Sequence, residues 1–182
     1  MIGNFIADDI PLKEEPLVPE DIKAGILLHR KIDDFTDGHR AFQEAVVKLR
    51  PHHRKYAPVV LDILNDHLLS RTWASFHDEA EEDFHQYAYE VLGQQVHRLP
   101  AKASLHVHTL LEYEYLKAYG LKSGLKNVLE RMDRRTRFPS IFSEAVKHLY
   151  DDYFFFEERF VQLYSDLLKM VEQSVDGAEV SH

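Results

Sequence analysis

His29 and Asp33 stand four residues apart in Leu27-Leu28-His29-Arg30-Lys31-Ile32-Asp33-Asp34-Phe35-Thr36-Asp37. On a helix that spacing puts both side chains on one face. Asp37 extends the line by a turn, and Leu28, Ile32 and Phe35 form a neighbouring apolar face, so the polar line borders a core. An imidazole with carboxylates at this spacing suits a hard or borderline cation such as Mn²⁺, Mg²⁺, Fe²⁺ or Zn²⁺. The same residues also fit a surface His–Asp pair worth roughly a few tenths of a kcal/mol. Gly25, one turn earlier, allows close approach of another backbone or a ligand.

A second pair, Asp62 and Asp66, lies within Val59-Val60-Leu61-Asp62-Ile63-Leu64-Asn65-Asp66-His67-Leu68-Leu69. That run is apolar almost all round and reads as a buried helix with two acids on one face. Buried carboxylates are paired, neutralised or bound to a cation. Here the choices are a metal or salt bridges to Arg30, Arg54 or Arg71. Near the N-terminus, Gly3-Asn4-Phe5-Ile6-Ala7-Asp8 by itself reads as a turn with a capping Asp. Arg131, Arg134, Arg135 and Arg137 form the densest basic cluster. Guanidinium groups grip phosphate and carboxylate through paired hydrogen bonds. The cluster suits an anion or an acidic partner, or simply a solvated helix end that complements the dipole. His52-His53 and His106-Val107-His108 have no acids at convincing spacing and read as surface or hydrogen-bonded core residues.

The composition narrows the chemistry. The 182 residues carry 22 Lys plus Arg against 31 Asp plus Glu, a formal charge of −9. Such a balance argues against a nucleic-acid binder. The chain has no Cys, which excludes disulfides, thiolate zinc sites and a Cys nucleophile. No stretch approaches the ~20 apolar residues of a membrane span. The N-terminus has no basic start and no small-residue cleavage site, so a cytoplasmic protein without membrane contact is the expectation.

Sparse Gly and Pro punctuate long segments of helical period. Pro19-Glu20-Asp21 opens a helix through Phe35. A second runs from about Gly38 to Leu49, stopped by Pro51, and Pro58 opens a third through Leu69 and Trp73. An acid-rich start at Glu79–Asp83 leads to a helix ending near Leu99-Pro100. The next spans about Ala103 to Tyr119 with Gly120 as its stop, and another runs from Gly124, capped by Ser123, to Arg134. Pro139-Ser140 starts the last, whose stripe is Phe142, Val146, Leu149, Tyr153, Phe156, Phe160, Leu163, Leu167 and Val171. The stripe is a core face, and it equally suits a homodimer interface. The expected fold is all-α, a bundle of about six or seven helices in one domain over residues 1–175, with a frayed tail over 176–182.

The blocks Gly3-Asn4-Phe5-Ile6-Ala7-Asp8, Gly25-Ile26-Leu27-Leu28-His29-Arg30-Lys31-Ile32-Asp33 with Thr36-Asp37, and Ala57-Pro58-Val59-Val60-Leu61-Asp62-Ile63-Leu64-Asn65-Asp66-His67 with Trp73 together resemble the acyl carrier protein phosphodiesterases. The resemblance implies an all-helical hydrolase, distantly similar to HD-type metal phosphohydrolases. It implies removal of 4′-phosphopantetheine from the serine of holo-acyl carrier protein, with Mn²⁺ favoured. By matching position, Asp8, His29, Asp33 and Asp66 are then the metal and catalytic candidates, with Asp37, Asp62 and His67 behind them. A free carboxylate among Asp33, Asp62 and Asp66 would serve as general base. Arg30 or Lys31 would offset phosphoryl charge. The substrate protein is strongly acidic, so Arg131, Arg134, Arg135 and Arg137 are the expected docking contacts. Family members usually carry a short segment rich in Asn, Phe, Leu and His ahead of the Gly-Asn block. This sequence starts two residues before Gly3, so a site that needs that segment's His is expected to bind metal weakly. The competing expectations are an HD-like hydrolase of a small phosphoester or nucleotide, and a non-catalytic helical binding module.

Overall fold

The computed structural model describes residues 1–11, 13–135 and 141–179. Among them there are nine α-helices and no strand: α1 Ile2–Ile6, α2 Glu20–Gly38, α3 Arg40–His53, α4 Ala57–Thr72, α5 Glu81–Gln95, α6 Ala101–Tyr113, α7 Lys122–Arg135, α8 Ala145–Asp151 and α9 Tyr153–Glu179. The all-α expectation therefore holds. No helix of the described residues is long and apolar enough to cross a membrane.

The helices group into two compact units. The first comprises Met1–Phe35 and His77–Lys117, the second Thr36–Phe76 and the chain from Ala118. The core of the first gathers Ile2, Ile6 and Ile10 with Ile22 and Ile26 of α2, Leu92 of α5 and Ala103, Val107 and Leu110 of α6. Ile22, Ile26, His29 and Asp33 succeed one another at three- or four-residue steps. The metal-candidate pair thus continues the buried stripe of α2 as it emerges toward solvent. In the second unit α3 packs against α4 and α9. Most of the aromatic stripe is core, as expected: Phe142, Val146, Leu149, Phe156, Phe160 and Leu163 are buried, while Tyr153, Leu167 and Val171 are half-buried.

Several boundaries differ from the sequence expectation, each for a local reason. Pro51 does not stop α3, which continues to His53. A proline in the final turn forfeits only its own bond to the preceding turn. The helix ends where Arg54 takes φ 49 and its N–H closes on the Arg50 carbonyl. Gly120 is not the stop of α6. That helix ends at Tyr113, where Glu114 adopts the left-handed conformation and bonds the Leu110 carbonyl at 2.9 Å. The final expected helix is divided into α8 and α9 at Asp152, whose φ of −126 and ψ of 37 are not helical. Pro139 and Ser140, its expected start, lie outside the described residues, as do residues 180–182 of the expected tail.

The second unit also holds a histidine cluster. His53 is 6% exposed, and its Nε2 lies 3.1 Å from His148 Nδ1, so one ring donates to the other. His52 stacks on His148 at 4.0 Å between centroids. Burial, reinforced by His148 and His52 and opposed by Asp133, pulls His53 down to about 4. The unfolded chain takes up that proton near 6.5 while the folded chain resists it to about 4, so stability is lost as pH falls across this window. The shift corresponds to about 3 kcal/mol. His53→Phe is expected to flatten this part of a urea-denaturation profile between pH 7 and 4. An unaltered slope would assign the proton uptake to other groups.

Candidate metal centre

The first unit brings Asp8, His29 and Asp33 together: one ligand atom of each lies within 4.8 Å of the others. Asp8 comes from the 3-10 turn that follows α1, and His29 and Asp33 come from consecutive turns of α2. The geometry rests on two glycines. A Cβ on Gly25 would stand 2.9 Å from both Asn4 N and Gly3 Cα, and one on Gly3 would stand 2.0 Å from the Ile22 carbonyl oxygen. α1 and α2 therefore cross with backbone against backbone, as the sequence suggested for Gly25. That crossing sets Asn4 beside His29, whose Nδ1 lies 2.8 Å from Asn4 Oδ1.

This contact decides the imidazole tautomer. The amide oxygen can only accept, so Nδ1–H donates and neutral His29 presents its lone pair at Nε2. Nε2 stands 3.2 Å from Asp33 Oδ2 and 3.6 Å from Asp8 Oδ1. Three lone-pair donors converging in this way repel one another unless a proton or a cation sits among them. One nitrogen and two carboxylate oxygens are the donor set of a hard or borderline divalent metal, and Asn4 is the outer partner such a histidine needs. The Asp8 side chain is 91% exposed and that of Asp33 54%, so the centre is open to a ligand from solvent.

Asp62 and Asp66 stand on α4 in the second unit. The expectation that they lie on a buried face is corrected: both are solvent-accessible, and the buried residues of α4 are Ala57, Val60, Leu61, Leu64, His67 and Leu68. The apolar run is broad enough to bury one side of α4 while leaving an accessible strip. Desolvation by the surrounding chain, with Asp62 one turn away, still raises the Asp66 carboxyl above the usual carboxylate range. His67 is a satisfied core residue rather than a ligand. Its Nδ1 donates to the Tyr119 carbonyl at 2.6 Å, and its Nε2 meets the Tyr150 hydroxyl at 3.0 Å.

The family model described as acyl carrier protein phosphodiesterase matches residues 1–167. A protein of that name from Enterobacter sp. (strain 638) is 30% identical over 168 residues, 91% of this chain and 86% of its own length. Proteins of the same name from Escherichia coli O157:H7 (strain EC4115 / EHEC) and from Escherichia coli (strain K12 / DH10B) are 32% identical over the same shares. The chain belongs to the acyl carrier protein phosphodiesterase family. No solved structure matches it.

In this member of the acyl carrier protein phosphodiesterase family, Arg30 does not stand open for a phosphate. Its guanidinium makes two bonds to Glu15, at 2.6 and 3.2 Å. Glu15 is held below the usual carboxylate range by that contact, and Arg30 is raised by it. Asp37 is exposed in the last turn of α2, within the second unit. Arg131 and Arg134 are exposed on α7, while the Arg135 side chain and Arg137 lie outside the described residues.

Two features were missed from the sequence. One is Asn4, read only as part of a turn. The other is a relay beside Asp8: His106 Nδ1 lies 2.5 Å from Asp9 Oδ2, and His106 Nε2 lies 2.7 Å from the Tyr115 hydroxyl. Lys102 also reaches Asp9 at 3.2 Å. Together these hold the turn that carries Asp8 onto α6. No periodicity links residues 9 and 106, so only the packed chain reveals the pair.

Proposed function

We propose that this chain hydrolyses the phosphodiester joining 4′-phosphopantetheine to the serine of holo-acyl carrier protein. In this reading Asp8, His29 and Asp33 hold a divalent cation, with Mn²⁺ ahead of Mg²⁺, Fe²⁺ and Zn²⁺. The observation that carries it is the His29 Nε2 lone pair, aimed by Asn4 at two carboxylates, in a chain of this family. When bound, the metal supplies Lewis acidity toward phosphoryl oxygens and acidifies a water for attack. Asn4 keeps His29 in the ligating tautomer, and the Asp9–His106 contact holds the Asp8 turn in place. Arg131 and Arg134 offer exposed positive charge to an acidic partner. The reading sets the reaction in the cytoplasm.

The test is direct. Holo-acyl carrier protein incubated with the protein and Mn²⁺ should lose the phosphopantetheine mass and yield the apo form. A carrier protein that stays intact, while a small phosphoester is hydrolysed, would move the activity to the small-substrate class.

A further inference from the structure

A second cationic surface lies at the turn between α3 and α4. Arg50, Arg54, Lys55 and Pro58 line a cleft of about 400 Å³. The three cations are exposed. Among the described residues the arginine ion pairs involve Arg30, Arg40, Arg98 and Arg159, not Arg50 or Arg54. In a chain of charge −9, two neighbouring guanidiniums without a carboxylate on them stand out. The backbone adds to this. Arg54 sits at φ 49 and ψ −123, where glycine would rest without strain. An arginine is held there instead.

Of the lining residues, Pro58 stands on α4. Pro58, Asp62 and Asp66 recur every four residues on α4 and so share one side of it. At the helical rise, Asp62 lies about 6 Å and Asp66 about 12 Å beyond Pro58 along the axis. Pro58, at the edge of the cleft, is therefore in line with both carboxylates. The cleft is not built as a phosphate cradle, because none of its cations is buried and Pro58 has no N–H to offer. Exposed, spread cations suit a broad anionic protein face, which they attract and orient.

We propose that Arg50, Arg54 and Lys55 dock the acidic face of the protein substrate. This rests on the reading of that substrate as a carrier protein. The experiment compares wild type, Arg50→Glu/Arg54→Glu and Arg54→Gly. Binding of holo-acyl carrier protein is followed by fluorescence anisotropy, and turnover is followed on that protein and on a short phosphopantetheinyl-serine peptide. The double reversal should raise KM for the carrier protein about tenfold or more, leave kcat within about twofold and leave the peptide untouched. The salt dependence of carrier-protein binding should flatten with it. Arg54→Gly should weaken binding while Tm stays level or rises, since the backbone strain is relieved. The same loss on the peptide would make the cluster a phosphate grip and overturn the docking role. Hydrolysis with an unchanged KM also overturns it and leaves the phosphodiesterase reading standing. Patch-dependent binding of a carrier protein that is never cleaved does the reverse.

Discussion

His29→Ala is expected to lower Mn²⁺ affinity by more than about 100-fold and turnover by about 1000-fold. The size follows from what the side chain does. It is the only nitrogen in the three-residue donor group, and its Nε2 is the atom that both carboxylates face. Without it two carboxylate oxygens remain, and the cation loses a third of its protein donors. Loss of an outer partner costs about 10–100-fold in metal affinity, so Asn4→Ala should fall in that range and the ligand itself above it. Calorimetric titration with Mn²⁺ reads affinity without relying on turnover. Wild-type affinity in His29→Ala, or full activity under metal-limited conditions, would sink the ligand assignment.

The second large effect is expected at a residue that carries no side chain at all. Gly25→Val should destabilise the protein by about 3 kcal/mol, because every atom in the way is backbone. The new Cβ would lie 2.9 Å from Asn4 N and Gly3 Cα and 3.1 Å from Gly3 C, none of which can rotate aside. For a chain of this size the loss corresponds to a Tm lower by about 6–12 °C. The helices can relieve the clash only by separating, which draws Asn4 off His29 Nδ1. Gly25→Val is therefore expected to lose metal affinity as well as stability, although residue 25 is no ligand. Gly38→Ala is the control, since nothing lies within 4 Å of its added carbon. Its Tm should be unchanged or slightly raised. A Gly25→Val protein melting with wild type would show that the crossing is not needed.

Some of this was legible from spacing alone. The helical class, the one-face placement of His29 and Asp33, and the close approach at Gly25 all follow from residue types a few positions apart. Local periodicity governs such features, and the folded chain keeps them. The aromatic stripe read as core for the same reason. Helix ends were less legible: Tyr113 and Asp151 end their helices with no Gly or Pro as signal, because the last turn answers to packing as much as to its own residues.

Tertiary structure decided the rest. Asp8 joins His29 and Asp33 only because two glycines let α1 and α2 cross in backbone contact, and the same crossing makes Asn4 the group that fixes the imidazole. The Asp9–His106 contact spans 97 residues and has no counterpart in any local pattern. The apolar run around Asp62 and Asp66 promised burial, but the packing of α4 left both accessible. A sequence sets which side chains share a face. Which faces meet, and how much water is left between them, depends on the shape of the packed chain.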